Sequence, residues 1–228
     1  MFQWLVDLWM FFFPSNCLVC GKRLHSTREV LCFTCEYLMP KTEYGERDNN
    51  PVSLTFWGRV PVVSGTSLFR FEKGSAYQTV LHDLKYRGNR NAGFYLGRLL
   101  GHELIQSSFS KCDLLVPVPL HPGRLRQRGY NQSEIIARGC SEITGIPVVT
   151  GLLIRRGRHR SQTSMGRLER FENVLEEFSL GSRSMDINGK KVLIIDDVMT
   201  TGATLEACSH VLFSHYTCLV YVATVSMV

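Results

Sequence analysis

Apolar and polar positions change their period along this chain. Between residues 76 and 106, Val80, Leu81 and Leu84, then Tyr95, Leu96, Leu99, Leu100 and Leu104, recur at helical spacing. Each set marks one face of a 3.6-residue helix and predicts helices over 76–86 and 92–106. Further on, short aliphatic runs alternate with helical stretches. Strands are predicted over 114–116, 147–154, 191–195 and 217–225, and helices over 133–144 and 203–213. Alternation of this kind builds βαβ units and a parallel sheet, which takes its ligands at the carboxyl ends of the strands. Residues 62–71, rich in Val, Ser, Thr and Phe, read as a strand or hairpin closing at Glu72-Lys73-Gly74. The polar stretch 41–59 contains Asn49-Asn50-Pro51, a turn signal, and divides a small module, 1–45, from a larger domain, 46–228.

Two cysteine pairs give the small module its chemistry. Cys17 and Cys20 form one C-x-x-C, and Cys32 and Cys35 form a second after an interval of eleven residues. Each pair presents two thiolates from a tight turn, the first eased by Gly21, and together they supply the four ligands of a tetrahedral zinc. Four thiolates close the coordination shell, so the expected site is structural and not catalytic. A redox dithiol is the competing reading, but neither pair sits in a thioredoxin-like βαβ unit. His25 lies between the pairs as a possible substitute ligand that four thiolates make unnecessary. Cys112, Cys140, Cys208 and Cys218 lack such spacing and read as small buried apolar residues. Reduced thiols with zinc point to the cytoplasm.

The first thirteen residues are apolar except for Gln3 and Asp7, which share one helical face before Pro14. Without a basic leading region or a small-residue cleavage site they do not read as a signal peptide. They read as a short helix packed on the protein body, with an interfacial anchor or partner-binding helix as the alternative, which the missing Lys/Arg face disfavours. Apolar runs fall short of the ~18–20 residues that cross a bilayer. A hydrophobic fraction of 44% with 20% charged residues excludes a disordered or collagen-like chain. The net charge of +6 is informative once located: eight arginines against two glutamates between residues 121 and 160 account for all of it. Arg138 and Arg155 read as solvated surface charges. Arg124, Arg126 and Arg128 read as an anion site, because planar guanidinium groups match phosphate oxygens.

The most informative stretch runs Val192-Leu193-Ile194-Ile195-Asp196-Asp197-Val198-Met199-Thr200-Thr201-Gly202-Ala203-Thr204. A strand delivers Asp196 and Asp197 to the sheet edge, and the turn that follows exposes N–H groups at a helix N-terminus, which favours a phosphate. Thr200, Thr201 and Thr204 add hydroxyl donors, while Gly202 lets the backbone approach closely. Carboxylates repel a phosphate, so they suit sugar hydroxyls or a Mg²⁺ beside it. A ribose 5-phosphate satisfies both halves. Neither GxxxxGK[ST] nor GxGxxG occurs, which removes the P-loop and dinucleotide readings.

This stretch resembles the signature of type I phosphoribosyltransferases, which bind phosphoribosyl pyrophosphate (PRPP). Pro117-Val118-Pro119-Leu120-His121-Pro122, Arg126-Gln127-Arg128-Gly129-Tyr130-Asn131-Gln132, Lys85-Tyr86-Arg87-Gly88 and the double C-x-x-C resemble, in the same order, the ComF/GntX family. The resemblance implies an α/β fold: a type I phosphoribosyltransferase-like parallel sheet flanked by helices, with an N-terminal four-cysteine zinc-ribbon module and a hood over about 60–105. It implies that Asp196 and Asp197 are catalytic and that Thr200, Thr201, Gly202, Ala203 and Thr204 hold the 5′-phosphate. Pro119, Arg124, Arg126, Arg128, Gly129 and Asn131 would hold pyrophosphate. A mobile loop over 156–173 would contribute Gln162, Arg167, Arg170 and Asn173. Structural zinc at Cys17, Cys20, Cys32 and Cys35, and Mg²⁺ with PRPP, are the implied metals.

The implied activity is Mg-dependent transfer of phosphoribosyl to an unspecified acceptor with release of pyrophosphate, linked to DNA uptake in competence. Lys85 or Arg87 would face the site or serve as helix-end charges. A PRPP or nucleotide sensor without turnover, and a single-stranded DNA-binding module, are the alternatives. A competence-machinery protein and a second copy of the chain are the further implied partners.

Overall fold

Four parallel strands carry the molecule, two of them with aliphatic runs. Leu114–Pro117 (β2) and Lys191–Met199 (β5) are buried on both faces, and β5 pairs in parallel with β2 on one side and with Leu219–Met227 (β6) on the other. Val62–Arg70 (β1) pairs in parallel with β6, giving the order β1-β6-β5-β2. Unbroken Val/Ile/Leu runs are what a parallel sheet covered on both faces requires. The computed structural model describes residues 15–26, 29–47, 49–156, 177–182 and 185–228. The apolar N-terminal segment and the four residues expected in a mobile loop, Gln162, Arg167, Arg170 and Asn173, lie outside them.

One face of the sheet, with Leu193, Ile195, Tyr221, Ala223 and Val225, is covered by the helices Gln78–Tyr86 (α3), Arg90–Ile105 (α4) and Gln132–Thr144 (α6). At Gly97 and Gly139, α4 and α6 meet backbone to backbone. A Cβ at Gly97 would stand 2.2 Å from the Ile136 carbonyl, and one at Gly139 would stand 2.3 Å from that of Phe94. The other face, with Val192, Ile194, Val220 and Val222, packs against Ala203–Phe213 (α7) and against Val52 and Phe56. Those two residues lie in and just after a short helix, Pro51–Leu54 (α2), capped by the Asn50 side chain. The polar stretch that divides the chain by sequence is therefore a built part of the core: Asn50 also donates to the carbonyls of Tyr44, Arg47 and Gly65.

The cysteine module joins the first face. Leu24, Val30, Leu31 and Met39 are buried in the same core, and the Tyr77 hydroxyl donates to the Cys35 carbonyl at 2.7 Å. A short helix, Phe33–Tyr37 (α1), carries Cys35. Beyond it the chain runs along the outer edge of β1, with Arg70 N donating to Pro40 O and Thr42 N to Leu68 O, which covers an edge that would otherwise invite pairing.

Two expectations change, and one element is added. Residues 147–154 do not form one strand. Residues 147–149 pair with the edge of β2, Gly151 then turns at φ +78°, and Leu153–Arg155 (β3) pairs antiparallel with Phe178–Leu180 (β4). The arginine segment holds a short helix, Pro122–Arg128 (α5), started by proline at its first turn and ended by Gly129 at φ +79°. Arg155 is not a solvated charge: it binds Glu177 at 3.0 Å through Nε and lies over the Phe178 ring. Arg138, exposed and paired with Glu134 one turn away, is the surface charge expected. Cys112, Cys140, Cys208 and Cys218 are buried, as their apolar settings predict. Among the described residues no helix is long and apolar enough to cross a membrane.

Candidate functional site

The strand β5 extends through both aspartates, further than its aliphatic run suggests, and presents them beside the N-terminus of α6. Asp196 Oδ1 accepts from the Ser133 hydroxyl at 2.8 Å and from the Asp197 N–H at 2.9 Å. Asp197 Oδ2 faces the Lys85 ammonium at 3.1 Å and the Gln132 amide at 3.3 Å, while its Oδ1 accepts from Val198 N–H. Asp196 Oδ2 is the oxygen with no protein partner among the described residues, and Asp196 lines the adjoining cleft. Burial first, then the neighbouring Asp197 charge, push the Asp196 carboxyl up to about 7, against the opposing pull of Ser133, the Asp197 N–H and Lys85. Such a pair offers acceptors to sugar hydroxyls from a rigid, dry mount.

The cleft is open to solvent and is lined by Asp196 and residues 198–205. Thr200 and Thr201 are exposed at its mouth, Ala203 and Thr204 are half-buried, and Gly202 is the N-cap of α7 at φ +76°. The first bond inside the helix runs from Glu206 N–H to Gly202 O, and Ala203 N–H meets the Thr201 hydroxyl at a long 3.5 Å, so the N–H groups of Thr204 and Leu205 are among those that a helix start leaves for an external acceptor. A phosphate fits that chemistry. Behind the loop, the Arg59 guanidinium donates to the carbonyls of Thr201 and Thr55, both at 3.0 Å, and pairs with the buried Glu206.

Of the arginines expected to hold pyrophosphate, Arg124 and Arg126 are exposed on α5, without an ion-pair partner among the described residues. Arg128 is half-buried, lies 6.0 Å from the centre of the exposed Tyr86 ring, and keeps a buried Nη1 without a hydrogen-bond partner among the described residues. Gly129 ends α5, and its carbonyl accepts from Arg90. The Asn131 side chain is already used twice: it caps α6 at Ser133 N and donates to the Val118 carbonyl. Pro119 is half-buried, two residues past the end of β2.

Sequence reasoning did not single out Ser133, Gln132 as an aspartate ligand, Arg59 or Glu206. A signal existed for Gln132 and Ser133, which open a helix directly after the arginine motif. None existed for Arg59, which stands 142 residues from Thr201. Of the two cations at the end of α3, Lys85 faces the carboxylates and Arg87 pairs with Asp83 within the helix.

The second site is the cysteine cluster. The sulfurs of Cys17, Cys20, Cys32 and Cys35 lie within 4.8 Å of one another, and Cys20 and Cys32 stand 3.7 Å apart. Zinc–sulfur bonds of ~2.3 Å at tetrahedral angles set sulfurs about 3.8 Å apart, so the donor set fits that metal. Burial raises the Cys17 thiol, but N–H donors from Cys20, Cys32 and Val19 outweigh it and bring it down to about 7, towards the thiolate a metal needs. His25 is exposed and outside the cluster.

Residues 128–226 match the phosphoribosyl transferase domain family. Competence protein F of Haemophilus influenzae is 23% identical over 89% of this chain and 93% of its own length. Competence protein ComFC of Streptococcus pneumoniae is 35% identical over 40% of this chain and 37% of its own. Among solved structures, the glutamine phosphoribosylpyrophosphate amidotransferase of B. subtilis, complexed with ADP and GMP, is 25% identical over 59% of this chain and 26% of its own, with a TM-score of 0.40.

Proposed function

We propose that this chain, a homologue of competence proteins F and ComFC that carries a phosphoribosyl transferase domain, binds PRPP with Mg²⁺ and transfers its phosphoribosyl group to an acceptor, releasing pyrophosphate. One observation carries the reading: the Asp196–Asp197 pair and the loop of residues 200–204 belong to one strand–turn–helix and adjoin a single cleft. The 5′-phosphate sits on the N–H groups and hydroxyls of the loop, and the ribose hydroxyls on the carboxylates. Mg²⁺ bound with the ligand would offset charge on the diphosphate. It would be held mainly by the ligand, since among the described residues Asp196 Oδ2 is the one oxygen of the aspartate pair without a protein partner. Arg124, Arg126 and Arg128 receive the pyrophosphate as the C1–O bond loosens, a task of charge stabilisation. Lys85 offsets the paired carboxylates, which would otherwise repel a polyanion.

The four-cysteine cluster holds one structural zinc, and Cys17→Ser releases it, measured as metal per chain. Competence in the relatives' names supports a place in DNA uptake, and the eight unpaired cysteines support the cytoplasm. Single-stranded DNA is a second reading favoured by Tyr86, an exposed ring beside Arg128 that offers a stacking surface. A competence-machinery protein and a second copy of the chain are the partners that go with either reading.

Calorimetric titration with PRPP and Mg²⁺, followed by a pyrophosphate-release assay with a panel of bases and amines, tests the proposal. Binding with release supports transfer. Binding without release under any acceptor makes the chain a sensor. Absence of PRPP binding, with single-stranded DNA binding lost on Arg126→Ala plus Arg128→Ala, moves the assignment to the nucleic-acid reading.

A further inference from the structure

The underside of the phosphate loop carries a contact network that phosphate binding alone does not call for. Arg59 comes from the turn after α2, outside the stretch matched to the transferase domain. Its Nη1 donates to the carbonyls of Thr55 and Thr201, and its Nη2 pairs with Glu206, whose side chain is 1% exposed in the first turn of α7. The same turn is pressed on Gly202: a Cβ there would stand 3.0 Å from Thr55 Cγ2 and 3.2 Å from the Phe56 ring. Thr55, Phe56 and Arg59 do not line the cleft, so the loop lies between them and the ligand space.

Peptide geometry gives this arrangement a consequence. In a planar trans peptide the C=O and the next N–H point in opposite directions, and the described chain contains no cis bond. Holding the Thr201 carbonyl down on Arg59 therefore turns the Gly202 N–H away from it, towards the cleft. Glu206, left alone, would place a buried negative charge within one helical turn of an anion site. Arg59 cancels it.

We propose that Arg59 is a positioning residue for the phosphate subsite. It sets the Thr201–Gly202 peptide so that the Gly202 N–H meets an incoming phosphomonoester, and it neutralises Glu206 beneath. The proposal rests on the phosphoribosyl reading above. A role in stability alone would not distinguish one anionic ligand from another.

The test titrates the full chain and Arg59→Met separately with ribose 5-phosphate and with inorganic pyrophosphate, and follows the Gly202 amide by NMR with labelled glycine. Arg59→Met is expected to weaken ribose 5-phosphate on the order of tenfold, the value of about one charge-assisted hydrogen bond, while pyrophosphate stays within about twofold. The Gly202 amide shift seen in the parent on adding ribose 5-phosphate should vanish. Arg59→Lys should recover part of the affinity, because an ammonium still meets Glu206 but reaches fewer carbonyls. Adding Glu206→Gln to Arg59→Met balances charge without orienting the peptide, and affinity should stay low.

Equal ribose 5-phosphate affinity in parent and Arg59→Met overturns the proposal and leaves the phosphoribosyl reading standing, as does an equal loss of both ligands. If Arg59→Met fails to fold, Arg59→Lys carries the same two-ligand comparison. A parent that binds neither ribose 5-phosphate nor PRPP removes the phosphoribosyl reading, and the Arg59 role with it.

Discussion

The carboxylate edge and the arginine segment meet the two ends of the proposed ligand in opposite states. At the edge, Asp196 and Asp197 are buried and three of their four oxygens already have protein partners in Ser133, Gln132, Lys85 and two backbone N–H groups. On α5, among the described residues, Arg124 and Arg126 stand in solvent without an ion-pair partner, and Arg128 keeps an unanswered donor. The first region is organised before any ligand arrives. The second is completed only by an anion. The ribose end is thereby the part of the site suited to fixed geometry, and the pyrophosphate end the part suited to a group that must arrive and leave.

That contrast can be broken by experiment. Replacing both aspartates, Asp196→Ala plus Asp197→Ala, should weaken PRPP on the order of a thousandfold by calorimetry, since each charged hydrogen-bonding group contributes about 2 kcal/mol. A loss of only a few fold would detach the ribose from this edge. Arg126→Ala plus Arg128→Ala should cost roughly thirtyfold, less per group because the site is open to solvent, and the loss should shrink as salt rises. Thermal stability should move little, and a large fall in Tm would show that the segment is structural.

Gly202→Ala addresses the mount of the phosphate loop. At φ +76°, with Thr55 and Phe56 packed against it, a methyl group should destabilise the fold by about 1–3 kcal/mol in urea unfolding. An unchanged midpoint would mean that the loop shifts freely.

The last comparison concerns pH. The Asp196 carboxyl is raised to about 7 in the folded chain, whereas an unfolded aspartate titrates near ~3.9. Between those values the folded chain holds a proton that the unfolded chain has released, so this group's contribution to stability falls as pH rises from about 4 to 7 and stays low above. Asp196→Asn keeps an acceptor for Ser133 and removes that loss. Its Tm relative to the parent should therefore rise between pH 5 and pH 8, by about 2–4 °C for each kcal/mol recovered. A difference that does not change with pH would place the proton elsewhere.

Much of the architecture is readable in one dimension. The strands at 114 and 191, and the helices at 133 and 203, follow from apolar spacing because burial against a sheet selects for it. The reading fails where local cues conflict with packing. Residues 41–59 are polar and turn-rich, yet they enter the core because Val52 and Phe56 are buried and Asn50 finds three carbonyl acceptors and caps a helix. The 147–154 run looks like a strand until Gly151, whose positive φ bends it out of the sheet. Arg155 looks like a surface charge because its partner Glu177 comes 22 residues later.

Features whose residues are neighbours in the chain are legible from their order alone: two C-x-x-C turns that bring four sulfurs together, and a strand–turn–helix that sets two carboxylates beside a phosphate-sized loop. Close spacing suffices there because the local backbone dictates the geometry. What surrounds them follows from folding in three dimensions. Lys85 and Gln132 on Asp197, Ser133 on Asp196, and Arg59 under Thr201 and Glu206 come from distant parts of the chain. A buried polar group must find a partner somewhere in three dimensions, and nothing in its own stretch of sequence says where.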